Sequence, residues 1–143
     1  MNRLSQYDQE PTALAGFAIL VKPRPKRCRT RVDSLRCALR GLKEAWDTQP
    51  NLRIHGALGA GMVLLGIWCQ ISVVEWMWVS FALGLVIFAE LMNTAIEETV
   101  DLVVGLRPDP LARRVKDVSA ASVLVAAALA MIIWSLTFVR YFV

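Results

Sequence analysis

Charge is absent from three long blocks of this chain and crowded into the stretches between them. Residues 54–74, 76–89 and 118–139 contain no Asp, Glu, Lys or Arg. A helix on the surface of a water-soluble domain carries charge on its outer face every turn or so, so these blocks read as helices immersed in lipid. A hydrocarbon core about 30 Å thick is crossed by about 20 apolar residues in a helix. The first and third blocks meet that length. The second is shorter, but its helical pattern continues through Glu90 to Val104 with neither proline nor glycine. It predicts a long helix whose far end leaves the hydrocarbon. Three spans are expected, at about 52–72, 74–103 and 117–141.

A different pattern precedes them. Val32, Leu35, Leu39, Leu42 and Trp46 recur at steps of three and four and share one helical face, while Arg36, Arg40, Lys43, Glu44 and Asp47 fall on other faces. Asp33 is placed to cap the start, and Pro50 interrupts the pattern before the first span. The spacing predicts an amphipathic helix at about 32–48 lying on the membrane surface; a soluble helix packed against a partner has the same pattern. Residues 1–12 are polar and Ala13–Val21 is too short to span, so no cleavable signal is expected. The expected organisation is a flexible basic tail, 1–30, followed by one membrane domain, 31–143.

Composition agrees with this picture. Of 143 residues 56% are hydrophobic, and their segregation excludes an ordinary soluble domain as well as a disordered, collagen-like or disulfide-stapled chain. No remaining stretch is long enough to bury the core of a separate soluble catalytic domain. Eleven of the 16 Lys and Arg residues precede the first span. The connection at 71–76 has none, the one at 104–117 has Arg107, Arg113, Arg114 and Lys116, and the C-terminal end has only Arg140. The positive-inside rule then puts the N-terminus in the cytoplasm and the C-terminus outside. Because the basic residues border spans, the net charge of +4 points to anionic lipid headgroups, not to nucleic acid. Cys28, Cys37 and Cys69 form no CxxC pair, and the single histidine, His55, is remote from them in sequence, so no zinc site is expected. The cysteines read as space-filling, with Cys28, among basic residues, a candidate for palmitoylation.

The candidate chemistry lies on the second span. At about 100° per residue, Glu90, Asn93, Glu97 and Asp101 fall within a stripe about 80° wide, with Glu98 to one side. Three carboxylates and an amide on one face of a membrane helix repel unless cations intervene, which points to a divalent metal or to basic residues of a neighbouring helix. A solvated stripe at a helix end is the alternative, although Glu90 follows 14 uncharged positions, 76–89. Arg107, Arg113, Arg114 and Lys116 are able to hold polyphosphate oxygens beside such a site, or serve only as topology residues. The pattern GxxxxGK[ST] is absent, so nucleotide would be bound in some other way. Gly56, Gly59, Ala60, Gly61 and Gly66 provide small-residue spacing for close helix approach and favour a homo-oligomer. Trp68, Trp76, Trp78 and Trp134 read as interfacial or lipid-facing anchors.

The run Glu90-Leu-Met-Asn-Thr-Ala-Ile-Glu97-Glu-Thr-Val-Asp101, with Lys116-Asp117 at the head of the third span, resembles the bacterial diacylglycerol kinase and undecaprenol kinase family. The likeness covers about residues 33–140 and includes Gly41-Leu-Lys-Glu-Ala-Trp46 and Asn51-Leu-Arg53-Ile-His55. The resemblance implies an all-α homotrimer of three-span subunits, each with an N-terminal surface helix, with active sites between subunits at the cytoplasmic face. It implies transfer of phosphate from MgATP to a membrane lipid hydroxyl. It assigns Glu90 as general base, Asn93 to the γ-phosphate, Glu97 to the metal, and Asp101, Lys116 and Asp117 to the nucleotide. Where the family has a second metal-binding glutamate, this chain has Gln49, whose amide oxygen ligates Mg²⁺ without supplying charge. That departure supports a second reading, a non-catalytic relic acting through lipid or partner binding. The sequence from Asn51 to His55 resembles the undecaprenol branch more than the diacylglycerol branch. A cation transporter fits poorly, because the acidic stripe lies at one end of the spans.

Overall fold

The structure, a computed structural model, describes residues 30–105 and 108–143. Residues 1–29 of the basic tail, with Cys28, and Arg107 of the short connection lie outside the described residues. Among the described residues the chain is helical throughout: α1, Arg31–Thr48; α2, Pro50–Cys69; α3, Val73–Val104; and α4, Pro110–Phe138, which ends in a 3₁₀ turn, Val139–Tyr141. Three helices are long and apolar enough to cross a membrane, and they make this a membrane protein. At 1.5 Å per residue the 20 residues of α2 match a hydrocarbon core, whereas the 32 of α3 overrun it by several turns.

Local chemistry sets each boundary. Thr30 caps α1: its Oγ1 accepts from Asp33 N at 3.1 Å and donates to Asp33 Oδ2 at 2.8 Å. Asp33, expected from sequence as the cap, is therefore the third-position partner, because the hydroxyl one turn earlier reaches its N–H. Pro50 opens α2, where a missing N–H leaves no intrahelical bond unmade. Gln70 closes α2 in the left-handed region at φ 53°, and the N–H groups of Gln70 and Ile71 bond the carbonyls of Ile67 and Gly66. A capping box between Ser72 and Glu75 starts α3, and Gly105, at φ 62°, stops it. Asp109 Oδ1 accepts from Leu111 N and Ala112 N, both at 2.8 Å, so α4 begins well before the charge-free block that opens at 118.

Packing is described within Ala38–Val143, a compact unit by itself. Between helices in lipid the hydrophobic effect contributes little, and close van der Waals fit has to hold them. The α3–α4 seam is accordingly built of small residues: Ala82, Val86 and Ala89 meet Ala126 and Ala130, all buried. Toward the start of α3 the seam widens into Ile71, Val79 and Phe138. Glu75 clasps that end, pairing with Arg140 at 2.7 Å while Tyr141 donates to it at 3.1 Å. The α2–α3 contact uses glycine. A side chain at Gly59 would overlap the Leu83 side chain, and one at Gly66 would meet the Trp76 ring at 2.9 Å. Of the tryptophans expected as interfacial or lipid-facing anchors, Trp76 and Trp134 are partly buried against this cluster, while Trp68 and Trp78 are exposed.

Because an indole ring yields less than an aliphatic side-chain tip, Gly66→Ala should displace Trp76 and cost about 1–3 kcal/mol. Thermal unfolding in detergent should show a lowered Tm, and Trp76→Leu should recover part of the loss in the double variant.

Candidate functional site

The end of α3 away from the Glu75 clasp carries the polar groups. Glu90 is 3% exposed although it is a carboxylate, held there by the alanine seam that draws α4 against the same stretch of α3. One of its oxygens, Oε1, lies 3.3 Å from His55 Nε2 on α2. The contact is not aligned as a hydrogen bond, and that oxygen is buried without a hydrogen-bond partner. Thr94, one turn on, donates its hydroxyl to the Glu90 carbonyl.

Asn93 is also buried. Ser119 on α4 donates its hydroxyl to Asn93 Oδ1, and Asn93 Nδ2 donates to Glu97 Oε1 at 3.3 Å. The hydroxyl turns the amide oxygen inward, so the NH₂ group and the Glu97 carboxylate lie together at the more open side. Further along, Lys116 Nζ pairs with Asp101 Oδ1 at 2.5 Å, and Arg113 stands 4.0 Å from Asp117 on the exposed face of α4. Asp101, Lys116, Asp117 and Arg113 line one cleft of about 350 Å³ bounded by Gly105 and Pro108. A second cavity, about 390 Å³ and mostly apolar, lies among Leu39, Leu42, Lys43, Trp46, Leu52 and Ile87. Ile87, which lines this cavity, precedes Glu90 by one helical turn.

The structure thus brings Asn93 and Glu97 together and gathers Asp101, Lys116 and Asp117 around one cleft. Gln49 sits half-buried at the N-cap of α2, where its side chain makes no capping bond. Glu98 is exposed. Among the described residues no three His, Cys, Asp or Glu side chains converge on a metal position. Two residues at the site were not singled out by sequence. Ser119 has no spacing signal of its own, because its role depends on the register between α3 and α4. His55 did carry one, as the one imidazole inside a charge-free block, but only the fold shows that it faces Glu90.

Comparison with known proteins gives this geometry a family. The family model described as prokaryotic diacylglycerol kinase matches residues 36–138. The undecaprenol kinase of Bacillus subtilis is 37% identical over 99 residues, 69% of this chain and 80% of that protein. A diacylglycerol kinase of Synechocystis is 36% identical over 70% of this chain and 57% of its own length. The Escherichia coli diacylglycerol kinase is 29% identical over 72% of this chain and 84% of its own. With the match running from within α1 to the last turn of α4, the chain belongs to the prokaryotic diacylglycerol kinase family.

Proposed function

We propose that this lipid kinase transfers the γ-phosphoryl group of ATP to the hydroxyl of undecaprenol, with diacylglycerol the second acceptor, at the cytoplasmic face of the cell membrane. The observation that carries the reading is the order of groups along α3. Ile87, which lines the apolar cavity, comes one turn before the buried Glu90, Asn93 and Glu97 follow one and two turns later, and the Asp101–Lys116 cleft comes a further turn on. At 1.5 Å per residue Glu90 and Asp101 are about 16 Å apart along the axis, enough to hold a triphosphate between a lipid headgroup and a nucleoside.

In this reading Glu90 accepts the proton of the acceptor hydroxyl, and its burial keeps water from competing for the phosphoryl group. The Asn93 NH₂ group donates to a γ-phosphate oxygen, held in that orientation by Ser119. Asp101, Lys116 and Asp117 bind the nucleotide, with the Lys116–Asp101 pair opening to admit it. Glu97 would hold a divalent cation, and the all-oxygen donor set of Glu97 with Gln49 suits Mg²⁺. Bound there, the cation would supply positive charge to offset that of the phosphate oxygens. The reading includes the homotrimer that the resemblance implies, with sites completed between subunits. The exposed apolar side chains of α1, with Leu39 57% and Trp46 45% exposed, support its lying on the membrane surface. The basic residues flanking the spans support a cytoplasmic N-terminus and an external C-terminus. The identity to the Bacillus undecaprenol kinase and the run Asn51 to His55 favour the polyprenol. The non-catalytic relic reading has only Gln49 in its favour, and relatives named as kinases lend it no support.

Glu90→Gln should lower turnover by about 10²–10⁴-fold while size-exclusion in detergent shows an unchanged oligomer. Retained turnover in that variant would remove Glu90 as the base. Gln49→Glu should shift the Mg²⁺ dependence of the rate to lower concentration, since it restores a negative oxygen ligand. An unchanged Mg²⁺ titration would take Gln49 out of the metal site.

A further inference from the structure

Phosphate oxygens at the start of a helix are commonly held by its free N–H groups, and the start of α4 has closed that route. Pro110 has no N–H, those of Leu111 and Ala112 donate to Asp109 Oδ1, and that of Arg113 donates to the Asp109 carbonyl. An anion in the cleft bounded by Gly105 and Pro108 has to be held by side chains, and two of those lining it are cationic, Lys116 and Arg113. They are held differently. Lys116 crosses to α3 and pairs with Asp101 at 2.5 Å. Arg113 pairs within its own helix, with Asp117 at 4.0 Å, and the two side chains are 86% and 72% exposed. A long, solvated pair of this kind is weak, and a phosphate group offers the guanidinium fork two oxygens in better geometry. Arg114, the neighbouring cation, does not line the cleft.

We propose that Arg113 is a further nucleotide-binding residue: as nucleotide enters, its guanidinium leaves Asp117 for the α-phosphate, the one nearest the nucleoside. The inference rests on the reading of this cleft as the nucleotide site. Its place on α4 decides which phosphate. Ser119 meets Asn93 and Lys116 meets Asp101, so moving toward the start of α4 leads away from the γ-phosphate position. Arg113 is one turn beyond Lys116 in that direction, about 4.5 Å further along the axis. Lys116 then serves the middle of the phosphate chain and Arg113 its nucleoside end. The exchange also frees the Asp117 carboxylate to accept from hydroxyl or N–H groups of the nucleoside. Without nucleotide, both cations of the cleft stay neutralised by aspartates.

The test is steady-state kinetics of the full chain in lipid nanodiscs, with MgATP varied and ADP or AMP added as inhibitor. Arg113→Gln should raise the KM for MgATP about tenfold, the loss of one charge-assisted hydrogen bond, with kcat and the KM for the lipid unchanged. The inhibition constants of ADP and AMP should rise by the same factor, because all three nucleotides carry the α-phosphate. Arg113→Lys should recover part of the loss, and the difference from wild type should shrink as salt screens the exposed charge. Arg114→Gln removes an equal charge outside the cleft and should move the KM by less than about twofold. An unchanged KM in Arg113→Gln, a fall in kcat alone, or an equal effect from Arg114→Gln would overturn the proposal. So would a raised KM for MgATP with unaltered inhibition by AMP, since the contact would then lie on another phosphate. Wild-type protein that transfers no phosphate from ATP would remove the nucleotide reading itself, whereas an active wild type with an unshifted Arg113→Gln removes only the role of Arg113. Both arginine variants keep a side chain exposed to water at the altered position, so folding is not at stake.

Discussion

Holding a carboxylate inside a membrane protein is the constraint on which the rest of this molecule turns. An ionised oxygen out of water costs several kcal/mol unless opposite charge or donors replace the lost solvation. Here three helices surround that carboxylate. The alanines of α3 and α4 bring the two backbones close enough to seal Glu90 and Asn93, and α2 supplies His55 from the other side. The seam also needs an anchor at its far end. Glu75, tied to Ser72, Arg140 and Tyr141, fastens the start of α3 to the end of α4 and fixes the register in which Ser119 meets Asn93.

The length of α3 turns this packing into function. A helix cut to the hydrocarbon core would end near Glu90, whereas this one carries the same face onward into the polar region. In the proposed reading, groups for an apolar acceptor, a phosphate chain and a nucleoside then follow one another along a single rigid element. Rigid placement of this kind contributes much of the acceleration in phosphoryl transfer, where positioning and charge neutralisation dominate. Gly105 ends the helix where the chain must turn back, so Lys116 on α4 returns to the level of Asp101.

Much of this was legible before any coordinates. Expelled charge marked the spanning helices, because a lipid environment penalises charge so strongly that its absence is diagnostic. The stripe of Glu90, Asn93, Glu97 and Asp101 was legible because helical periodicity alone places those residues on one face. What periodicity does not encode is which neighbouring helix that face meets. Ser119 and His55 come to this face only through the registers of α4 and α2 against α3, and those registers are set by glycine and alanine contacts with no chemical signature. The tryptophans teach the same point: Trp76 and Trp78 look alike in sequence, yet it is Trp76 that, with Ile71, fills the space Gly66 opens. At the start of α1 the error was a single turn, with Thr30 capping where Asp33 was expected, since both residue types accept the same bond.

The claim that one face of α3 joins a lipid acceptor to a nucleotide is tested most directly by phosphate transfer. Wild-type protein in lipid nanodiscs would be given γ-labelled ATP and Mg²⁺ with undecaprenol or, separately, diacylglycerol. Label should enter both lipids, with undecaprenol the better acceptor. A larger yield from diacylglycerol would reassign the substrate. No labelled lipid from either, with the oligomer intact, would contradict the account.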